Sequence, residues 1–97
     1  MVRSAILMSV QGFTPTFKQR IEIGKPKANL TEKEKNGLME FVKHQHRAIS
    51  ADWAIEENKI TVFGKNGAMN SYFYMNSGIL RSSERCGENK LKFYPFN

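Results

Sequence analysis

The chain contains a single cysteine, Cys86, among its 97 residues, which excludes an intrachain disulfide framework. A domain of this size without disulfides depends on packing for its stability and is typical of a reducing compartment, so we expect a cytoplasmic protein. No run approaches the roughly 18 apolar residues that a membrane span requires. The apolar segment of residues 5–10 is also shorter than the core of a signal peptide. We therefore expect no membrane association.

Motifs of the common enzyme and cofactor sites are lacking as well. There is no Gly-x-Ser-x-Gly elbow and no glycine-spaced phosphate-binding loop. His44 and His46 are two residues apart, and side chains at that spacing face different sides of a helix, which disfavours chelation of a metal ion. With two histidines and one cysteine in the whole chain, we expect neither a metal ion nor another cofactor.

The charge balance is the property that departs most from the ordinary. The sequence has 15 Lys and Arg against 9 Asp and Glu, a net charge of +6 and a pI near 9.7. Its hydrophobic share of 40% is typical of a globular protein, and its length suits one domain over residues 1–97. The basic excess indicates a polyanionic partner.

Hydrophobic periodicity predicts an α+β domain. Residues 4–11 form an apolar run typical of a buried strand. Residues 17–23 alternate between apolar and charged positions, which predicts a second strand, half exposed, with a basic outer face. Thr31 and Glu34 have the spacing of a capping box, which predicts an amphipathic helix over about 32–48.

After this helix the apolar pattern changes to period two. An Asn66-Gly67 pair between two β-prone runs is a strong signal for a tight hairpin. We therefore predict an antiparallel β-sheet formed by the N-terminal strand pair and a C-terminal meander, with the apolar stripe of the helix packed on it. A sheet edge left unpaired would offer a surface for a homodimer, which we take as a hypothesis.

Basic residues concentrate towards the two ends of the chain, and in the C-terminal part they alternate with aromatic ones. A strand can place a ring and a cation on one exposed face, so that bases stack while phosphates are neutralised. Because side chains alternate along a strand, Lys90, Lys92 and Tyr94 share one such face. We therefore predict binding to DNA or RNA. The predicted phosphate contacts are Lys18, Arg20, Lys25, Lys27, Lys43, Arg47, Arg81, Lys90 and Lys92, and the predicted stacking rings are Tyr72, Tyr74 and Tyr94.

Two other functions fit the same composition. Interfaces rich in Tyr, Met and Arg are common in protein recognition, so a protein-binding inhibitor or adaptor acting on a host protein is one alternative. A small ribonuclease-type toxin is the other, because such enzymes need a general base, a general acid and cations. Its candidates are His44 or His46, Glu56 or Glu57, and Arg81 or Arg85, and since no spacing links them we assign no catalytic residue. Size and composition also suggest a phage or mobile-element regulator.

Overall fold

The computed structural model describes residues 12–47, 51–65, 67–85 and 87–96. Within them lie two helices and one five-stranded antiparallel sheet, in which each strand pairs with the next along the chain. The predicted α+β class and the C-terminal meander are confirmed. The elements are α1 (Phe17–Ile23), α2 (Glu32–Gln45), β1 (Ala51–Ile55), β2 (Lys59–Gly64), β3 (Met69–Tyr74), β4 (Gly78–Arg85) and β5 (Glu88–Pro95).

Tight turns join the strands of the meander. Gly67, between β2 and β3, has a φ of 86°, and Gly87, between β4 and β5, has a φ of 83°. Residues other than glycine rarely adopt a positive φ of this size, because their Cβ atom clashes with the backbone. Glycine therefore favours both turns. The hairpin that the Asn66-Gly67 pair predicts is confirmed, because Phe63 pairs with Met69; Asn66 itself lies outside the described residues.

Helix α2 begins where the sequence predicts. The Thr31 hydroxyl accepts a hydrogen bond from the Glu34 backbone N–H at 3.1 Å, and the Glu34 carboxylate accepts one from the Thr31 N–H at 2.9 Å. This reciprocal capping box satisfies N–H groups that have no partner inside the helix. The helix ends at Gln45 with His46 as its C-cap, so the prediction that it continues through residues 46–47 is wrong, and its predicted end at residue 48 lies outside the described residues.

The strand predicted over residues 17–23 is wrong, because these residues form α1. The Thr16 hydroxyl accepts from the Gln19 backbone N–H at 3.2 Å, and the Gln19 side chain accepts from the Thr16 N–H at 2.9 Å. Gly24, with a φ of 85°, ends the helix. The capping box at the start and the glycine at the end stabilise a helix, and they outweigh an alternation of apolar and charged residues that is only seven residues long. Residues 4–11, the other predicted N-terminal strand, lie outside the described residues.

The main core lies between α2 and one side of the sheet, which we call the helix face. The ring of Phe41 packs edge-on against Tyr72 and Tyr94, at centroid distances of 6.2 and 5.0 Å. Leu38, Val42, Ile60, Val62 and Ile79 are buried in the same cluster. On the opposite side, the distal face, a smaller cluster joins Ile23 of α1 to Met75 and Phe93.

Two strands form the edges of this sheet. At β5 the edge is partly covered, because Phe13 and Phe93 exchange backbone hydrogen bonds of 3.0 and 2.7 Å. At β1 no described residue pairs with the outer side, and the homodimer through a sheet edge stays a prediction. No helix in the described part of the chain has the length and apolar character to cross a bilayer.

Candidate functional site

Helix α2 leaves one end of the helix face uncovered. Residues opposite each other on neighbouring strands share a face, and the register places Arg81 of β4 opposite Lys92 of β5. A groove of about 440 Å³ lies on this part of the sheet. We call it the basic groove and define it by six of its lining residues: Asn70, Arg81, Ser83, Arg85, Glu88 and Lys90.

Side chains from three other elements hold the guanidinium of Arg81. Its Nε donates to the Asn70 side-chain carbonyl at 3.0 Å. Its Nη1 donates to the Gln45 side-chain carbonyl at 3.3 Å and to the Tyr94 hydroxyl at 3.5 Å. The guanidinium carbon also lies 5.5 Å from the centre of the Tyr72 ring, a cation–π distance. The orientation of Arg81 is therefore set jointly by α2, β3 and β5.

Three cations in and beside the groove, Arg81, Lys90 and Lys92, have no carboxylate partner among the described residues. Arg81 and Lys92 lie directly opposite each other, and like charges in that position destabilise a sheet. Lys90 follows on the same face, opposite Ser83. Among the described residues none of these three cations forms an ion pair, and the ammonium of Lys92 lies 5.8 Å from the centre of the Tyr94 ring.

The carboxylates of the groove lie at its hairpin end. Glu88 is opposite Arg85, a cross-strand pair of opposite charge that is favourable in a sheet. Glu84 also lines the groove, but side chains alternate along a strand and Glu84 belongs to the distal set of β4. The excess positive charge therefore lies away from the hairpin end, at Arg81 and Lys90 in the groove and at Lys92, which is opposite Arg81.

A second depression, of about 380 Å³, lies beside the first part of β5. Arg20 of α1 and Lys90 of β5 line it together, with Thr14, Pro15, Asn89 and Leu91. Lys90 belongs to both depressions. One cation from the N-terminal part of the chain therefore converges with the C-terminal cations.

The other predicted N-terminal phosphate contacts are placed differently. Because residues 17–23 are helical, Lys18 and Arg20 point to different sides, and the predicted basic strand face is wrong. The Lys27 ammonium pairs with the Glu34 carboxylate at 2.5 Å. This hydrogen bond, together with that from the Thr31 backbone, lowers the pKa of Glu34. Lys25 is exposed in the loop after α1.

Lys43 and Arg47 lie near the C-terminal end of α2. Both are exposed, and they flank Gln45, the helix residue that contacts Arg81. Cations at this end of a helix also interact favourably with its dipole. Side chains two residues apart face different sides of a helix, so Lys43 does not share the side of Gln45, and neither Lys43 nor Arg47 lines the basic groove.

The predicted stacking role of Tyr72 and Tyr94 is wrong. Their exposed fractions are 0% and 3%, because both rings form the core beneath α2 and no nucleobase can reach them. Tyr74 is half-buried against Phe96, with ring centroids 5.2 Å apart. The prediction that Tyr94 and Lys92 share one face of the strand is confirmed, but α2 covers the part of that face where Tyr94 lies.

The fold does not bring the candidate catalytic residues together as one set. His46 is buried and hydrogen-bonded to Tyr72, whereas His44 is exposed. The carboxylate of Glu56 lies 3.9 Å from the ammonium of Lys59, within the turn between β1 and β2. Two of the candidates, His46 and Arg81, lie against the same Tyr72 ring, and no hydrogen bond or ion pair joins any two candidates in the described part of the chain.

The polar residues that orient Arg81 were not among the residues predicted from the sequence. Asn70 accepts from Arg81 and also from the Ser83 hydroxyl, at 2.6 Å, and Gln45 accepts from the other side. A signal was present, because Asn70 shares its strand face with Tyr72, a core residue. A polar side chain at a core-facing position needs a hydrogen-bonding partner.

The imidazole of His46 lies against the same tyrosine ring that supports Arg81. Its Nε2 is 2.7 Å from the Tyr72 hydroxyl. Burial, reinforced by the positive charge of Arg81, lowers the pKa of His46 below its usual 6.5. Burial also raises the pKa of the Tyr72 hydroxyl, which keeps that group protonated.

We expect the free energy of unfolding to decrease when the pH falls from about 7.5 to about 5.5. The pKa of His46 is lower in the folded state than the 6.5 of the free side chain, so in this range the unfolded state binds more protons. The stability present above pH 6.5 is therefore lost as the pH falls towards the folded-state pKa. Urea unfolding at both pH values measures the effect, and His46→Gln should reduce it. His44→Gln should retain it; an unchanged dependence in His46→Gln contradicts the assignment.

Comparison of this chain with known proteins adds no family. No protein-family model, curated protein or solved structure matches it.

Proposed function

We propose that this chain binds nucleic acid through the phosphate backbone, with the basic groove and Lys92 as the contact surface. The like-charged cross-strand pair of Arg81 and Lys92 carries the proposal, together with Lys90 on the same face. This arrangement costs folding free energy, and no described carboxylate offsets it. A bound polyanion would relieve the repulsion, which gives these cations a role that packing does not explain.

One further cation extends this surface. Arg20 reaches it beside β5, in the depression that it shares with Lys90. Contacts of this kind position a backbone and do not select a base sequence, so the proposed binding is largely independent of sequence.

Salt dependence of binding tests the proposal. Each phosphate neutralised by a lysine or arginine releases counterions, so log K should fall linearly with log[salt]. We expect the Lys90→Ala plus Lys92→Ala variant to reduce that slope by about two, with a weaker affinity at every salt concentration. Fluorescence anisotropy of a labelled oligonucleotide at several salt concentrations measures both quantities.

A matched control removes the same charge elsewhere. Lys33 and Lys35 lie in the first turns of α2, at the opposite end of that helix from Gln45. The Lys33→Ala plus Lys35→Ala variant has the same net charge as the test variant, and its slope should stay close to that of the native chain. Equal slopes for the two double variants, or binding that does not respond to salt, would overturn the proposal.

The two alternative functions give different outcomes in parallel assays. Cleavage of RNA during incubation would support a ribonuclease. A single protein that stays bound at stoichiometric ratio after nuclease treatment, with no salt-sensitive oligonucleotide binding, would support an adaptor. Either result counts against the proposal.

A further inference from the structure

We infer that Arg81 forms a preformed site for one phosphate group within the basic groove. The inference deepens the proposed function, on whose contact surface it rests, but it concerns a single oriented anion instead of the summed charge of the surface. It is carried by the way in which Arg81 is held, and by the chemistry of the groups that hold it.

The acceptors that orient Arg81 are all uncharged. The Asn70 amide, the Gln45 amide and the Tyr94 hydroxyl accept its hydrogen bonds. An aspartate or glutamate in their place would orient the guanidinium equally well, but it would also neutralise its charge. Neutral acceptors hold the direction of Arg81 and leave its full positive charge for a ligand.

Part of the guanidinium is left without a partner. A guanidinium carries five N–H donors, and the hydrogen bonds described above use Nε and Nη1. Nη2 donates to no described residue, and Arg81 lines the groove. An oxyanion such as phosphate suits this position, because its oxygens can accept charge-assisted hydrogen bonds from the remaining N–H groups of Nη2.

Neighbouring groups add charge and rigidity at this point. Lys92 lies opposite Arg81, and Lys90 lines the groove beside it. Asn70 is 9% exposed and is held from its other side by the Ser83 hydroxyl. Because Arg81 is already ordered, binding an anion costs less side-chain entropy than it would at a free surface arginine.

Titration with inorganic phosphate tests the site on the intact chain. We expect a saturable shift of the Arg81 Nε–H resonance, with a dissociation constant on the order of millimolar. The near-isosteric Asn70→Asp variant keeps an acceptor for Arg81 but adds a neutralising carboxylate, and it should weaken phosphate binding by about tenfold or more. Circular dichroism confirms that this variant is folded.

Ser82→Asp is the matched control for added charge. Ser82 is next to Arg81 in β4 but belongs to the distal face, so the same carboxylate there should leave phosphate affinity within about twofold. A non-saturable phosphate titration overturns the inference, as does an equal loss in Ser82→Asp and Asn70→Asp. If oligonucleotides nevertheless bind with a salt-dependent affinity, the proposed function survives that failure. Saturable phosphate binding without oligonucleotide binding would instead retain the site and reject the proposed function.

Two sources of the phosphate are separated by the ends of the oligonucleotide. The same labelled sequence is compared with a 5′-hydroxyl and with a 5′-phosphate, in the native chain and in Asn70→Asp. Equal affinities that both fall in Asn70→Asp support an internal phosphodiester as the ligand. If the 5′-phosphate oligonucleotide binds the native chain more tightly than the 5′-hydroxyl one, and this difference in affinity disappears in Asn70→Asp, the ligand is a terminal phosphate. Affinities that Asn70→Asp leaves unchanged overturn the site.

Discussion

Phe41→Ala is expected to lower the free energy of unfolding by about 3–5 kcal/mol. Phe41 is 1% exposed and packs edge-on against the rings of Tyr72 and Tyr94. Truncation removes the buried ring and leaves a cavity between α2 and the sheet, where neighbouring side chains relax only in part. Loss of two aromatic contacts adds to this cost. Chemical denaturation followed by circular dichroism measures the change.

Phe63→Ala is the matched control for this truncation. Phe63 lies on the distal face and is 43% exposed, so its removal should cost less than about 1 kcal/mol. Comparable losses in the two variants would contradict the placement of the main core.

Because Tyr72 and Tyr94 also contact Arg81, we expect the milder Phe41→Leu variant to weaken oligonucleotide binding as well as stability.

Gly78→Ala is expected to destabilise the fold by more than about 3 kcal/mol. Gly78 begins β4 and pairs with Pro95 of β5. A Cβ atom at this position would lie 2.6 Å from the Phe93 ring and 2.8 Å from the Cα of Pro95, and it would also overlap the Tyr94 carbonyl. Two of these neighbours are backbone atoms, so the clash is relieved only by displacing β5 from β4.

Gly67→Ala separates this clash from the general cost of replacing a glycine. A Cβ on Gly67 would meet no heavy atom within 4 Å, and its only penalty is the positive φ of 86°. That penalty is about 1–2 kcal/mol. Thermal and chemical unfolding should therefore rank Gly78→Ala as the less stable variant, and the opposite order would contradict the packing of β5 on Gly78.

The expected binding properties depend on the same pair of strands. Arg81 lies on β4, whereas Lys90 and Lys92 lie on β5. Any change that displaces β5 should therefore weaken oligonucleotide binding together with stability. Lys90→Ala plus Lys92→Ala should separate the two effects, because both lysines are exposed and their removal also relieves the repulsion with Arg81.

Local signals in the sequence were sufficient for much of the fold. The capping box of Thr31 and Glu34 marked the start of α2, and the Asn66-Gly67 pair marked a hairpin of the meander. Both signals act within a few residues, so they need no knowledge of the rest of the chain. The same kind of signal marks the start of α1, because Thr16 and Gln19 have capping-box spacing, but the short alternation of residues 17–23 is also typical of a strand.

Two properties of the candidate site follow from the sequence alone: the alternation of side chains along β5 and the excess of positive charge. They establish that Lys92 and Tyr94 share a strand face and that cations exceed carboxylates. Only the tertiary structure decided which part of that face α2 covers, and so made Tyr94 a core residue and left Lys92 exposed. It also decided the orientation of Arg81, since Gln45 and Asn70 come from distant parts of the chain. Alternation along a strand is a local property, whereas coverage by a helix depends on contacts between residues far apart in sequence.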